Sequence, residues 1–201
     1  MAIQYESIKT HWNYFLALER DFSEIARFVE PCEQNHDTFS IELARLIMTS
    51  AQEVDVVLKS LCLQLEPESN PSGIRGYHDV IERLLPELLS EKVQIPRYGI
   101  SCSPWSSWTQ DSPPIWWTAN NKIKHDRQNS FNRASLKNGY NAIGALLIVV
   151  SYFYRQERKK SDQDTKWSDV TDGLVSDLRL VRLDSSRYRP VATYNFLRTD
   201  E

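Results

Sequence analysis

Residues Ile41–Leu65 read IELARLIMTSAQEVDVVLKSLCLQL, and the spacing of their apolar side chains decides the fold class. Ile41, Ala44, Met48, Ala51, Val54, Leu58, Leu61 and Leu65 recur at intervals of three and four, the repeat of one face of an α-helix rather than the period of two of a strand. Ser40 or Thr38 stands where an N-cap belongs, since a short hydroxyl side chain can accept from the free N–H groups of the first turn. A long helix with one apolar face buries that face only against others like it, so the search moves outward for partners.

Upstream, Trp12, Phe15, Leu16, Leu18, Phe22, Ile25, Phe28 and Val29 keep helical spacing until Pro31 stops the element. Downstream, the turn-rich stretch from Pro67 to Gly73 is followed by Tyr77, Val80, Ile81, Leu84, Leu85, Leu88 and Leu89, a third helix kinked at Pro86. From Glu91 to Pro114 the prolines Pro96, Pro104, Pro113 and Pro114 oppose helix. Trp105 and Trp108 carry enough aromatic surface to hold this stretch against the bundle as an ordered loop without regular structure. A fourth helix is expected from near Pro114 to about Asn129, with proline favoured in its first turn. A fifth runs from Phe131 to Arg158. Ala142 to Val150 is apolar nearly all round, as in a helix covered on several sides by a bundle core or by a second chain. After residue 160 the character changes: Leu178–Leu183 and Tyr188–Leu197 are rich in β-formers around Asp184-Ser185-Ser186, which predicts a hairpin. The expected architecture is therefore all-α: an antiparallel bundle of four to five helices over residues 1–160, with a small C-terminal β-hairpin appendage over residues 161–201.

Composition narrows the function classes. With 201 residues, 41% hydrophobic and 25% charged, the chain suits one well-buried domain of the ordinary globular kind. The N-terminus lacks the basic flank and apolar centre of a signal peptide, and the apolar run Ala142–Tyr154 is shorter than the roughly 20 residues a bilayer requires, which predicts a cytoplasmic protein without membrane contact. Cys32, Cys62 and Cys102 are far apart and match no metal-ligand spacing, and His11, His36, His78 and His125 are equally scattered. Reduced thiols are expected, and no metal or cofactor.

The chemistry concentrates in Trp116–Arg127, WWTANNKIKHDR. His125 supplies an imidazole, the side chain suited to proton transfer near neutral pH, among the amides of Asn120 and Asn121 and the cations Lys122, Lys124 and Arg127. Lys122, Lys124, Arg127, Arg133 and Lys137 face only Asp126 in sequence, while Arg155, Arg158, Lys159 and Lys160 close the following helix. Such local excess draws a polyanion even though the whole chain carries a formal net charge of -3. Each residue has a structural alternative. His125 can serve a helix C-terminus, the asparagines a packing edge, and Trp116 and Trp117 are expected to anchor the core rather than stack on bases. Glu53 and Asp55 on the second helix could face the basic segment, but a structural role is expected for both.

The long helix Ile41–Leu65, the loop into Pro104 and Trp108, the segment from Asn120 to Arg127 and the apolar closing helix together resemble the HEPN superfamily of all-α domains, over roughly Trp12 to Arg158. The resemblance implies a dimerising helical bundle of toxin–antitoxin, abortive-infection or other defence systems, with active members that are metal-independent endoribonucleases. Those members carry an Arg, a polar residue and, a few positions on, a His. Asn121 and His125 match the last two, but Thr118, Ala119 and Asn120 stand where the Arg would, and no other histidine here has an Arg at that separation.

Metal-free RNA cleavage requires a base for the ribose 2'-OH, stabilisation of the phosphorane and an acid for the leaving oxygen. On this resemblance His125 is the expected base or acid. Asn121, four residues earlier on the same helix face, orients it, and Lys122 or Lys124 replaces the missing Arg. Lys122, Lys124, Arg127 and Arg133 are the expected RNA contacts. The expected partners are a second copy of the chain, RNA, and an antitoxin or other defence-system protein. The alternative functions are a catalytically inactive HEPN-like module that binds RNA, a nucleotide or a protein partner, and a structural scaffold assembled through the hairpin.

Overall fold

The computed structural model of the protein describes residues 8–176 and 178–188. Helix α1 spans Thr10–Ile25, α2 Ile41–Leu65, α3 Gly73–Leu84, α4 Ile115–His125, α5 Arg127–Ser130, α6 Leu136–Lys159 and α7 Trp167–Gly173; strands β1 Val93–Ile95, β2 Ile100–Cys102 and β3 Arg182–Leu183 complete the described elements. The helical bundle predicted from periodicity is present, and no helix among the described residues is long and apolar enough to cross a membrane.

Helix α2 starts where its sequence says it should: the Ser40 side chain accepts from Leu43 N at 3.1 Å. Its partner α6 is capped in the same way by Ser135, which accepts from Asn138 N. The two caps lie side by side, because Phe39 and Ser135 form an isolated β-bridge and Leu136 N donates to Thr38 O at 2.8 Å. Two helices starting from one bridge run parallel, and Gly139 of α6 sits on Leu43 of α2, where a Cβ would come within 2.9 Å of Leu43 Cδ2. The absent side chain lets the backbones close up. Helices α1 and α4 flank this central pair in the opposite sense: His11, near the start of α1, reaches Glu53 of α2 and Phe153 of α6, while Arg127, just past α4, reaches Met48 near the start of α2. The antiparallel expectation thus holds for α1 and α4 but not for the α2–α6 pair. A parallel connection needs a long crossover, and the chain between α2 and α6 supplies it.

Every residue of α6 from Ala142 to Tyr154 is buried within this one chain. The all-round apolar character is therefore that of a bundle core, and this stretch leaves no apolar face over for a second copy. Each buried Leu, Ile or Val contributes about 1.5–3 kcal/mol.

Several boundaries differ from the sequence reading. Helix α1 ends at Ile25, not at Pro31, so Phe28 and Val29 lie beyond it. The third helix does not kink at Pro86; α3 ends at Leu84, Leu85 turns to φ −149°, and Pro86–Ser90 forms a 3-10 turn, as the crowding of a pre-proline residue requires. The stretch Glu91–Pro114 contains the antiparallel pair β1–β2, joined through Pro96–Tyr98 and Gly99 at φ 65°, a left-handed conformation that glycine adopts without strain. Trp105 and Trp108 are buried, as expected of anchors, and Trp116 Nε1 donates to Pro104 O at 2.9 Å. The expected fourth helix to Asn129 and fifth from Phe131 are interrupted. Asp126 leaves helical geometry at φ −145°, and a 3-10 turn at Phe131–Arg133 precedes α6.

Beyond α6 the described chain docks on the bundle. Strand β3 pairs antiparallel with β1, Val93 opposite Leu183, making a sheet of order β2-β1-β3. Of the expected hairpin, the first segment Leu178–Leu183 is a strand only at Arg182–Leu183, and the second, Tyr188–Leu197, lies outside the described residues apart from Tyr188. The carboxylate of Glu19, 1% exposed, accepts from Leu180 N at 2.9 Å, Val181 N at 3.0 Å and the Ser176 hydroxyl. A second buried carboxylate, Glu91, accepts from Tyr152 Oη at 2.6 Å and from Arg187, and Arg155 and Arg187 each lie 4.6 Å from the centroid of the Trp167 ring. These contacts satisfy the backbone of a segment too short to form its own core.

Candidate nucleic-acid interface at the end of α4

Helix α4 divides cleanly by burial. Trp116, Trp117, Ala119 and Ile123 point into the core, so the two tryptophans anchor the helix and are unavailable for stacking on bases. Asn121, Lys122, Lys124 and His125 are left on the exposed side, with Asn120 half-buried. Lys122, Lys124 and His125 occupy the last turn, where positive charge is favoured by the carbonyl end of the helix.

Asp126 then breaks the helix and accepts from Asn129 Nδ2 at 2.8 Å, restarting the chain as the single turn α5. This break redirects Arg127. Its Nη2 meets Met48 Sδ of α2 at 3.6 Å instead of continuing the row of Lys124. Arg133 follows on the 3-10 turn, exposed. Among the described residues, no hydrogen bond or ion pair engages the side chains of Lys122, Lys124, His125 or Arg133.

Of the expected catalytic arrangement, the structure brings Asn121 and His125 to one exposed face but does not join them. The Asn121 Oδ1 atom accepts from Asn120 Nδ2 at 3.4 Å, and no hydrogen bond runs to the imidazole. The carboxylates expected to be structural face packed groups: Glu53 holds His11 Nδ1 at 2.6 Å, and the Asp55 charge lies near the Tyr77 phenol. Burial first, then Asp55, pushes the Tyr77 phenol up to about 12. The other histidines are packed. His36 meets Tyr140 Oη at 3.2 Å, His78 is 2% exposed against Trp108, and His11 lies edge-on to Phe153. His125 is the one exposed histidine of the four.

The second basic cluster belongs to another surface. Arg158, Lys159 and Lys160 lie at the far end of α6, a helix of 24 residues, so roughly 36 Å separates them from the α4–α5 face at its start. Arg155 is committed to Trp167.

Sequence reasoning missed a groove of about 600 Å³ between α2 and α5, lined by Ile41, Ala44, Arg45, Met48, Thr49, Arg127, Gln128 and Phe131. Periodicity assigned Ile41 to the buried face of α2, but at the start of the helix it is 68% exposed on the groove, so no signal in the sequence pointed to it. A larger hollow of about 720 Å³ lies between Trp12, Leu147 and the segment after α7, and shares no residue with the basic face. No group of three or more His, Cys, Asp or Glu side chains among the described residues is arranged to hold a metal ion. Compared with protein-family models, curated proteins and solved structures, the chain matches none.

Proposed function

We propose that this chain is a HEPN-like RNA-binding protein of toxin or phage-defence type, whose working surface is the α4–α5 face and whose His125 makes it a metal-independent endoribonuclease. The observation that carries the reading is the placement of the one exposed histidine among Lys122, Lys124, Arg127 and Arg133. In this mechanism His125 takes the ribose 2'-OH proton, the 2'-oxygen attacks the adjacent phosphorus, and Lys122 or Lys124 stabilises the charge gathering on the phosphorane oxygens. The P–O5' bond breaks as the 5'-oxygen takes a proton from solvent water, giving a 2',3'-cyclic phosphate and a 5'-hydroxyl.

One observation favours the second reading, a catalytically inactive module binding RNA, a nucleotide or a protein partner: among the described residues no side chain hydrogen-bonds the His125 ring. A fixed ring normally needs such a partner. Pairing of two chains, which the resemblance implies, would supply the missing groups from a second copy of the face. An antitoxin is the other partner this reading admits.

The test is cleavage of a labelled mixed-sequence RNA in the presence of chelator. His125→Ala should lower the rate by about 10²-fold or more while leaving helical content unchanged. Cleavage that survives His125→Ala, or that needs added Mg²⁺, would place the active site elsewhere. RNA binding without cleavage would select the inactive module. Light scattering at micromolar concentration tests the pairing.

A further inference from the structure

The groove between α2 and α5 joins the basic face to an apolar surface that the proposed chemistry leaves unused. Its floor and rim are Ile41, Ala44, Met48 and Phe131; its two sides each carry a guanidinium, Arg45 from α2 and Arg127 from α5. Phe131 is half-buried and lies edge-on to Phe39, ring centroids 5.6 Å apart at 81°. Phe39 is 49% exposed and Ile41 68% exposed, so large apolar side chains face water at the end of the molecule that gathers positive charge. Contiguous exposed apolar surface with a charged rim marks a binding site rather than ordinary solvent-facing structure.

Charge selects the ligand. Arg127 is held along the groove edge by the Met48 thioether, with no carboxylate partner among the described residues. Arg45 bonds Glu42 at 2.9 Å, but both side chains are more than half exposed, and a surface pair of that kind yields readily to a better anion. The groove thus suits a ligand with a flat apolar part and a negative charge beside it. It stands next to His125, because two residues of chain place the Cα atoms of His125 and Arg127 at most about 7 Å apart.

We propose that this groove is a nucleobase subsite, taking an unpaired base of a single-stranded RNA whose adjoining phosphate lies on Arg127. Unpaired bases are recognised in this way, on apolar and aromatic side chains and guanidinium planes, because every base presents a π-face. A volume of about 600 Å³ falls in the range that holds a nucleotide-sized ligand. The proposal rests on the RNA-binding reading of the α4–α5 face and adds to it a preference for single strands.

The test compares a fluorescein-labelled 12-nucleotide oligouridylate with an abasic oligomer carrying the same number of phosphates, by anisotropy at low salt with chelator. The wild-type chain should bind the base-bearing strand about 5-fold or more tightly than the abasic one. Ile41→Ser and Phe131→Leu, which change no charge, should narrow that ratio towards one while leaving abasic affinity and its salt dependence unaltered. Ile41 is exposed, so Ile41→Ser keeps the experiment decisive if Phe131→Leu disturbs folding. Equal affinity of the wild type for the two strands, with salt-dependent binding intact, would overturn the base subsite and leave the basic face standing. Failure to bind either strand would remove the RNA-binding reading, and the subsite with it. If light scattering shows that Ile41→Ser converts a dimer to a monomer without altering the strand preference, the groove is an interface between copies and the proposal is overturned.

Discussion

Replacing Lys124 and Arg127 together by alanine should halve the salt dependence of RNA binding. The size of the effect follows from the structure. Lys122, Lys124, Arg127 and Arg133 are exposed at one end of the bundle, and the polar partner seen for any of their side chains is the Met48 thioether. If each neutralises one phosphate of a single strand, counterion release gives a slope of log K against log salt of about −2.8, so affinity falls about 50-fold between 50 and 200 mM salt. Removing two contacts leaves a slope of about −1.4 and a fall of about 7-fold over the same range. Both side chains lie outside the core, so circular dichroism should show unchanged helix. Anisotropy titrations of a labelled unstructured oligonucleotide across that salt range measure the slope directly. Lys159 and Lys160, at the far end of α6, provide the control, and their double alanine variant should keep the wild-type slope. A double Lys124/Arg127 variant with the wild-type slope would refute the reasoning, as would a wild-type slope near zero.

Other consequences concern the frame that holds this face. Glu19→Ala leaves the N–H groups of Leu180 and Val181 and the Ser176 hydroxyl without their acceptor in a buried site, and should cost about 3 kcal/mol or more in urea unfolding. Glu19→Gln, which keeps an oxygen for the two amides, should cost less, and limited proteolysis should cut the segment after α7 sooner in the alanine variant. Burial pushes the thiols of Cys62 and Cys102 up to about 12; Cys62, fully buried, should react with a disulfide reagent only on unfolding, while the half-buried Cys102 should react in the native protein but more slowly than Cys32. Folded values above the ordinary ones, for these thiols and for Tyr77 and Tyr140, mean that stability is complete below about pH 9 and is lost as pH rises towards 12; thermal unfolding across that window checks the sign. Gly144→Ala should stabilise by about 0.5–1 kcal/mol through helix propensity, because the new Cβ stays 3.4 Å from Val93 Cγ1. Gly139→Ala meets Leu43 Cδ2 at 2.9 Å in the packed α2–α6 seam and should show no such gain in melting temperature.

Helix α2 and its serine cap were legible because periodicity and capping are local: the side chains that decide them lie within a turn or two of one another. The surplus apolar surface of α6 was equally legible, and so was the exposure of Lys122, Lys124 and His125, which follows from Trp116, Trp117, Ala119 and Ile123 claiming the other side of α4. What covers α6 was not, since burial is a property of neighbours; the flanking helices α1, α2, α4 and α7, not a second copy, enclose Ala142–Tyr154. The parallel setting of α2 and α6 depends on a bridge between Phe39 and Ser135, far apart in the chain. Strand β1 is three residues long and gains its second neighbour from Arg182–Leu183, so no local pattern announces it. The same holds at the site. Sequence alone determined that an imidazole and several cations would stand near each other at a helix end. Only the tertiary structure decided that Asp126 breaks the helix, turning Arg127 onto Met48 and opening a groove beside His125, and that α6 carries Arg158, Lys159 and Lys160 away from that groove by its own length. Spacing in sequence sets which side chains share a turn, whereas packing between distant segments sets which surfaces share a ligand.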